Sequence, residues 1–212
     1  MQFDYSPGAT PLDPDEAAGL IPRHITTQGE LNEWEQTNIL HAMPWVFRQR
    51  NKDLLDTAFL REAHRRLFDQ TWKWAGELRR SDKNIGGDWR HIPVDLRNLL
   101  DDVKAQIKFN AYPPDELVLR FHHRLVWIHP FANGNGRHAR LMADLLIQQL
   151  GRPAFSWGGQ SLIAMSDTRQ AYLSALRSAD AHDYSQLLQF ARSHEDHIAQ
   201  LRQLTIPSSQ FS

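Results

Sequence analysis

The chain has 212 residues, 41% of them hydrophobic, enough for one domain to bury a core with at most a short appendage. With 24 Lys plus Arg against 25 Asp plus Glu the formal net charge is -1, which excludes a strongly basic nucleic-acid binder while allowing a local basic cleft. There is no cysteine, so a disulfide scaffold, a thiolate zinc site, an iron–sulfur cluster and a cysteine nucleophile are excluded, and a reducing compartment fits.

Residues 1–25 carry Pro7, Pro11, Pro14 and Pro22 among polar residues and read as an extended arm. Thr27-Gln28-Gly29-Glu30 is a capping box that opens a helix, predicted to stop at about Ala42 because Pro44 disfavours helical angles before it. A second helix is predicted from near Asp56, with Leu55, Phe59, Ala63 and Leu67 on one face, ending by Gly76. Residues 78–93 lose that period. Gly86-Gly87, between Asn84-Ile85 and Trp89-Arg90, predicts a short hairpin, and two strands cannot make a core alone, so it is expected as a flap on helices.

Asp95 is predicted to cap a helix with Leu96, Leu99, Val103 and Ile107 on one face. Another begins around Pro114 with Leu117, Phe121, Leu125 and Ile128 inward. The next starts at Gly136, with Ala139, Met142, Leu146 and Leu150 inward and Gly151 as its stop. Asp167 caps a helix to about Ala181, and a last one runs from about Tyr184 to Leu204. No apolar run reaches membrane-span length, and the first five residues lack the basic and apolar regions of a signal peptide. The expected protein is cytoplasmic and all-α, with one short β-hairpin flap.

The chemistry concentrates in Ile128-His129-Pro130-Phe131-Ala132-Asn133-Gly134-Asn135-Gly136-Arg137-His138-Ala139-Arg140. Two amphipathic helices meet across a loop whose glycines let backbone approach a ligand. The N–H groups at the start of the second helix, with its dipole, form an anion site. Arg137 and Arg140 project from one side of its first turn, and their guanidinium forks suit phosphate oxygens. His129 has the right reference pKa for a general base near neutrality. Asn133 offers an amide oxygen to Mg²⁺ or to the loop itself. Gly134-Asn135-Gly136-Arg137-His138-Ala139 also satisfies G-x-G-x-x-A, but no acid follows about 20 residues on and the preceding period is helical, which argues against a dinucleotide-binding unit.

His129-Pro130-Phe131-Ala132-Asn133-Gly134-Asn135-Gly136-Arg137-His138-Ala139-Arg140 resembles the Fic motif H-P-F-x-[D/E]-G-N-G-R-x-x-R at every defined position but one. The resemblance extends over roughly residues 55–195, including Trp74-Ala75-Gly76-Glu77-Leu78-Arg79 and the hairpin, and the arrangement is similar to the Fic subgroup called mobile mystery protein B. It implies a Fic-type helical bundle: an N-terminal arm and regulatory helix over 1–52, a catalytic domain over 53–196, and a helix end and tail over 197–212. It implies a nucleotidyltransferase that moves AMP from ATP, with Mg²⁺, to a Tyr, Thr or Ser hydroxyl of a target protein. Neither membrane nor nucleic acid is expected as a partner. In that reading His129 is the general base, Phe131 anchors the loop, and Gly134, Asn135 and Gly136 cradle phosphates that Arg137 and Arg140 hold. The flap Lys83, Asn84, Ile85, Gly86, Gly87, Asp88 and Trp89 pins the target by strand addition.

Asn133 departs from the family, which carries Asp or Glu there as Mg²⁺ ligand. A neutral amide binds a hard cation more weakly. This leaves two alternatives open: a nucleotide-binding regulatory or toxin–antitoxin-type module with weak catalysis, or a variant that transfers another phosphate-containing group. Many Fic proteins also carry an inhibitory helix [S/T]-x-x-x-E-[G/N]. The nearest fit is Leu31-Asn32-Glu33-Trp34-Glu35-Gln36, which makes Glu35 a candidate inhibitor paired with Arg140. His122-His123 reads as packing or solvation. His194-Glu195-Asp196-His197 has the wrong spacing for H-E-x-x-H zinc ligation.

Overall fold

The computed structural model describes residues 12–49, 52–159 and 167–193, and the chain divides into two compact units, Met1–Ala154 and Phe155–Ser212. In the first unit the arm folds into one short helix, α1 (Pro14–Ala17), and then runs beside the turn after the third helix. Leu20 and Trp72 form an isolated antiparallel bridge, flanked by Ile21 N–H to Thr71 O and Lys73 N–H to Gly19 O, both 2.9 Å.

Helix α2 (Gln28–Phe47) opens on the expected capping box: Thr27 Oγ1 accepts from Glu30 N–H at 3.2 Å, and Glu30 Oε2 accepts from Thr27 N–H at 3.0 Å. It runs past the predicted stop at Ala42, with Pro44 inside it. Proline there removes one hydrogen bond close to the helix end, and packing keeps the last turn: Val46 is buried and Trp45 stacks on Phe59. Helix α3 (Thr57–Phe68) is capped by Asp56, whose carboxylate accepts from Phe59 N–H at 3.1 Å. Its inward face holds Leu60, Ala63, His64, Leu67 and Phe68, leaving Phe59 half-buried.

Helix α4 (Ile92–Lys108) starts three residues before the predicted cap Asp95, because Pro93 is preorganised for a first turn and gives up only an N–H that a helix start leaves unpaired. Helices α5 (Pro114–Ile128) and α6 (Asn135–Gln149) bury the predicted Leu117, Phe121, Leu125 and Ile128, and Ala139, Met142 and Leu146. Helix α5 packs on α6 and on α4, and α2 packs on α3.

The fold is all-α, but the expected hairpin is not a hairpin: among the described residues 78–88 form no strand. The Arg79 guanidinium donates to Ser81 O and Gly87 O, both at 2.7 Å, so one side chain closes the loop where a strand ladder would have done so.

In the second unit, helices α7 (Asp167–Asp180) and α8 (Ser185–Arg192) pack together around Tyr172, Ala175, Leu187 and Ala191. Ser156 N–H donates to Ala191 O at 2.8 Å. The predicted continuation to Leu204, the tail 197–212, the zinc-like His194–His197 run and residues 1–11 lie outside the described residues. No described helix is long and apolar enough to cross a membrane.

Candidate active site

Helix α5 ends with His129 in the left-handed region (φ 52°, ψ 60°), and α6 opens after Gly134, also left-handed (φ 77°). Left-handed backbone at a residue with a Cβ costs about 1–3 kcal/mol and persists only where its surroundings hold it. Here they do. Asn135 closes on Phe131 twice, accepting from its N–H at 2.9 Å and donating to its carbonyl at 2.7 Å. Phe131, fully buried, stacks on His64 with ring centroids 3.7 Å apart and meets His138 edge-on at 5.0 Å.

Asn135 was expected in the phosphate cradle. Its side chain is spent on the loop, bonded to the backbone of the buried Phe131. Gly134 is required twice over: its φ is positive, and a Cβ would sit 2.5 Å from the Phe68 ring. Gly136 has helical backbone, and a Cβ there would first meet Arg140 at 3.6 Å. Arg140 therefore folds back along α6 toward the helix N-terminus.

The first-turn N–H groups of α6 have no intrahelical acceptor and Gly134 supplies no side-chain cap, so the positive end of the helix dipole is left to favour an anion. His129 lies at the other end of the loop, 5% exposed. Burial, and then the Arg79 charge, pull its imidazole down to about 4. It is therefore neutral at pH 7 and able to accept a proton. The arrangement presents a proton acceptor and an anion-binding helix start within one seven-residue turn.

Two neighbouring residues were not singled out from the sequence. Arg79, its side chain fully buried, donates from Nε to His129 O at 2.6 Å and from Nη2 to Ile128 O at 3.4 Å, and its N–H reaches Pro130 O at 2.9 Å. His64 donates from Nε2 to Asn133 O and accepts on Nδ1 from Gly76 N–H, both at 3.0 Å, which fixes one neutral tautomer. Arg79 stood in the sequence only as the end of Trp74-Ala75-Gly76-Glu77-Leu78-Arg79, and His64 among charged neighbours beside Ala63, and burial of a charged or polar group cannot be read from that.

Arg137 is not paired as the sequence suggested. Glu35 was expected on Arg140. Its Oε2 lies 2.8 Å from Arg137 Nη1, and its Oε1 accepts from Trp72 Nε1 at 2.8 Å. Helix α2 buries Glu35 on the face that meets α3, beside Phe68, whose ring lies 4.8 Å under the Arg137 guanidinium.

The flap is only partly a surface. Lys83 turns inward, 2% exposed, onto Asp13 (2.9 Å) and Glu16 (2.5 Å) of the arm. Gly86 packs against His129, since a Cβ there would lie 2.9 Å from the histidine Cβ. Asp88 caps the turn Trp89–His91, and Arg90 lies over the Trp89 ring. Asn84 and Ile85 are exposed.

Position 133 offers a Mg²⁺ ion an amide rather than a carboxylate. Asn133 turns its side-chain oxygen onto Gly134 N–H. Among the described residues no group of three or more His, Asp or Glu could hold a metal.

Residues 54–147 match the Fic/DOC family. The chain is similar to protein adenylyltransferase Fic of Aedes aegypti, 28% identical over 142 residues, covering 65% of this chain and 27% of that protein. It is also similar to the protein of the same name from Drosophila willistoni, 30% identical over 134 residues (61% and 25%). The chain thus spans about a quarter of the length of these curated relatives. In fold it is similar to Fic-1 from C. elegans, with TM-score 0.65 at 22% identity over 92% of this chain and 57% of that one. It is also similar to BepC from Bartonella tribocorum with bound AMPPNP, with TM-score 0.61 at 17% identity (82% and 94%).

Proposed function

From the match of residues 54–147 to the Fic/DOC family, we propose that this chain transfers AMP from ATP to a hydroxyl side chain of a target protein. The observation that carries this is the neutral, buried His129 one turn from the uncapped start of α6. Relatives named adenylyltransferases and a like-folded protein with bound AMPPNP support it.

In this reading the triphosphate lies on the N–H groups of α6, with Arg137 and Arg140 on its outer oxygens. His129 takes the proton of a Tyr, Thr or Ser hydroxyl as its oxygen attacks the α-phosphorus. The bond to the β-phosphate oxygen breaks, and pyrophosphate leaves. Positioning and charge stabilisation supply most of the rate in such chemistry. The exposed Asn84–Ile85 edge is where a target segment docks. Asn133 would offer Mg²⁺ only an amide oxygen, and these steps use only ATP, the target hydroxyl and this chain's own residues. The cysteine-free composition fits cytoplasmic action.

Glu35 restrains this activity in our reading, since it occupies the Arg137 fork that the triphosphate needs. Intact mass after incubation with ATP tests the proposal. Glu35→Gly and its candidate targets gain the mass of AMP, and the double variant Glu35→Gly/His129→Ala does not. ATP binding with no transfer in any variant would instead favour the nucleotide-binding module, for which the committed amide of Asn133 is the supporting observation.

A further inference from the structure

Arg79 is an unusual residue to find where it is. Its side chain is fully buried, and most of its contacts go to carbonyl oxygens rather than to an acid; the nearest carboxylate, Asp82, stands 3.8 Å away and is largely exposed. Burial lowers its pKa, yet a guanidinium stays charged at neutral pH. A buried charge is retained only where several hydrogen bonds replace water.

Those bonds fall into two sets. Nε and Nη2 take the carbonyls of His129 (2.6 Å) and Ile128 (3.4 Å), which the end of α5 leaves without helical partners. Nη1 and Nη2 take Ser81 O and Gly87 O, both at 2.7 Å, on the loop that ends in the exposed Asn84–Ile85 edge. One rigid planar group therefore joins the backbone of the base to the backbone of the docking loop. Gly86, left-handed at φ 91°, is what lets the loop come this close. A Cβ there would lie 2.9 Å from His129 Cβ and 3.0 Å from Arg79 Nη2.

We infer that Arg79 is a positioning residue: it holds His129 in its left-handed turn and fixes the docking loop to that turn, so that a hydroxyl delivered along the loop arrives at the imidazole. This rests on the proposed AMP transfer for its consequence, but its geometry does not. The Arg79 side chain bonds to the end of α5 and to the 81–87 loop, so its role is separable from nucleotide binding at the start of α6. Lysine could reach one of the two sets of carbonyls but cannot fork to both.

The test compares the full chain carrying Glu35→Gly with the same chain carrying Arg79→Lys or Arg79→Gln in addition. Three quantities are read: ATP affinity by calorimetry, kcat and KM for AMP transfer, and the His129 ring signals by NMR across pH. The expected result is ATP affinity within about twofold, and kcat lower by about a hundredfold in both variants, the scale of loss that misplacing a reacting group by about 1 Å produces. The His129 ring signals move in both variants. Lysine fails to rescue kcat although it keeps the charge. If kcat stays within about threefold of the parent, or if ATP affinity falls in step with kcat, the inference is wrong. If the parent itself transfers nothing, AMP transfer is what has failed, and the NMR arm decides Arg79 alone: His129 signals that move support it, and unmoved signals overturn it. Should Arg79→Gln not fold, Arg79→Lys carries the same comparison.

Discussion

The Glu35 carboxylate lies 2.8 Å from the Arg137 guanidinium and accepts from the Trp72 indole at the same distance, so helix α2 places a buried acid on the first arginine of the motif. Each Glu35 oxygen thus has a partner, which is what makes a carboxylate 2% exposed tolerable. Replacing Glu35 by Gln keeps a bond to Trp72 and removes the charge that holds Arg137. ATP affinity should rise about tenfold or more in Glu35→Gln and Glu35→Gly. Thermal unfolding should show Glu35→Gly less stable by about 3 kcal/mol, since it strands one partner of a buried pair. Unchanged ATP affinity in both would remove Glu35 from regulation.

The two motif glycines should separate by substitution. Gly134→Ala forces a Cβ into the Phe68 ring at positive φ and should destabilise the chain by about 2 kcal/mol or more. Gly136→Ala meets nothing closer than the flexible end of Arg140 and should leave the melting temperature within a few degrees. It crowds the face where the triphosphate is proposed to lie, so its ATP affinity should fall while its stability does not.

Asn135 and Asn133, two positions apart, should behave differently. Asn135→Ala removes both bonds to the buried Phe131 backbone and should cost about 2–3 kcal/mol of stability, visible by denaturant titration. Asn133→Asp keeps an acceptor for Gly134 N–H and adds a carboxylate charge. Its stability should be near wild type, and its transfer rate should rise with Mg²⁺ more steeply than the parent's. Identical Mg²⁺ dependence in the two chains would show that position 133 does not meet the cation.

Four buried histidines set the acid limit. His64 is pushed well below its usual value, first by burial and then by His138. Burial also brings His122 to about 3, and His129 and His138 to about 4. His138 donates from Nε2 to Leu60 O, and its Nδ1 has no partner among the described residues, so a second proton would be buried without an acceptor. Each folded pKa is below the unfolded value of about 6.5. Their contribution is therefore complete above pH 6.5 and is lost as pH falls from there toward 4 and 3. Denaturant midpoints should be flat from pH 7 to 8 and drop steeply below 6. Removing His64 and His138 together by neutral, similarly sized residues should shallow that drop in whatever fold survives. Transfer rate should hold down to about pH 5, because His129 faces Arg79 and Lys83 and stays unprotonated; an acid limb centred at 6.5 would contradict its burial.

Much of the fold was legible because amphipathic spacing reports burial directly, as in α5 and α6, and because Thr27-Gln28-Gly29-Glu30 and Asp56 cap as written. The motif located the turn between α5 and α6, because backbone that must turn sharply between helices leaves few residue choices. What was not legible depended on contacts distant in sequence. The 78–88 loop is closed by Arg79 rather than by strand pairing, and α2 continues through Pro44 because α3 packs against it. Lys83 looked like flap surface until the arm supplied Asp13 and Glu16. Glu35 was expected on Arg140 and meets Arg137 instead, because which arginine it reaches depends on how α2 packs, and no local pattern encodes that.

The measurement that bears most directly on AMP transfer is incubation of Glu35→Gly, and of Glu35→Gly/His129→Ala, with ATP labelled on the α- or the γ-phosphate, followed by protein-bound counts. AMP transfer with His129 as base puts α-label on protein in the first chain, none from γ-label, and at least a hundredfold less α-label in the second, in the range set by loss of a general base. Label from the γ-phosphate alone, or equal α-label with and without His129, would contradict it.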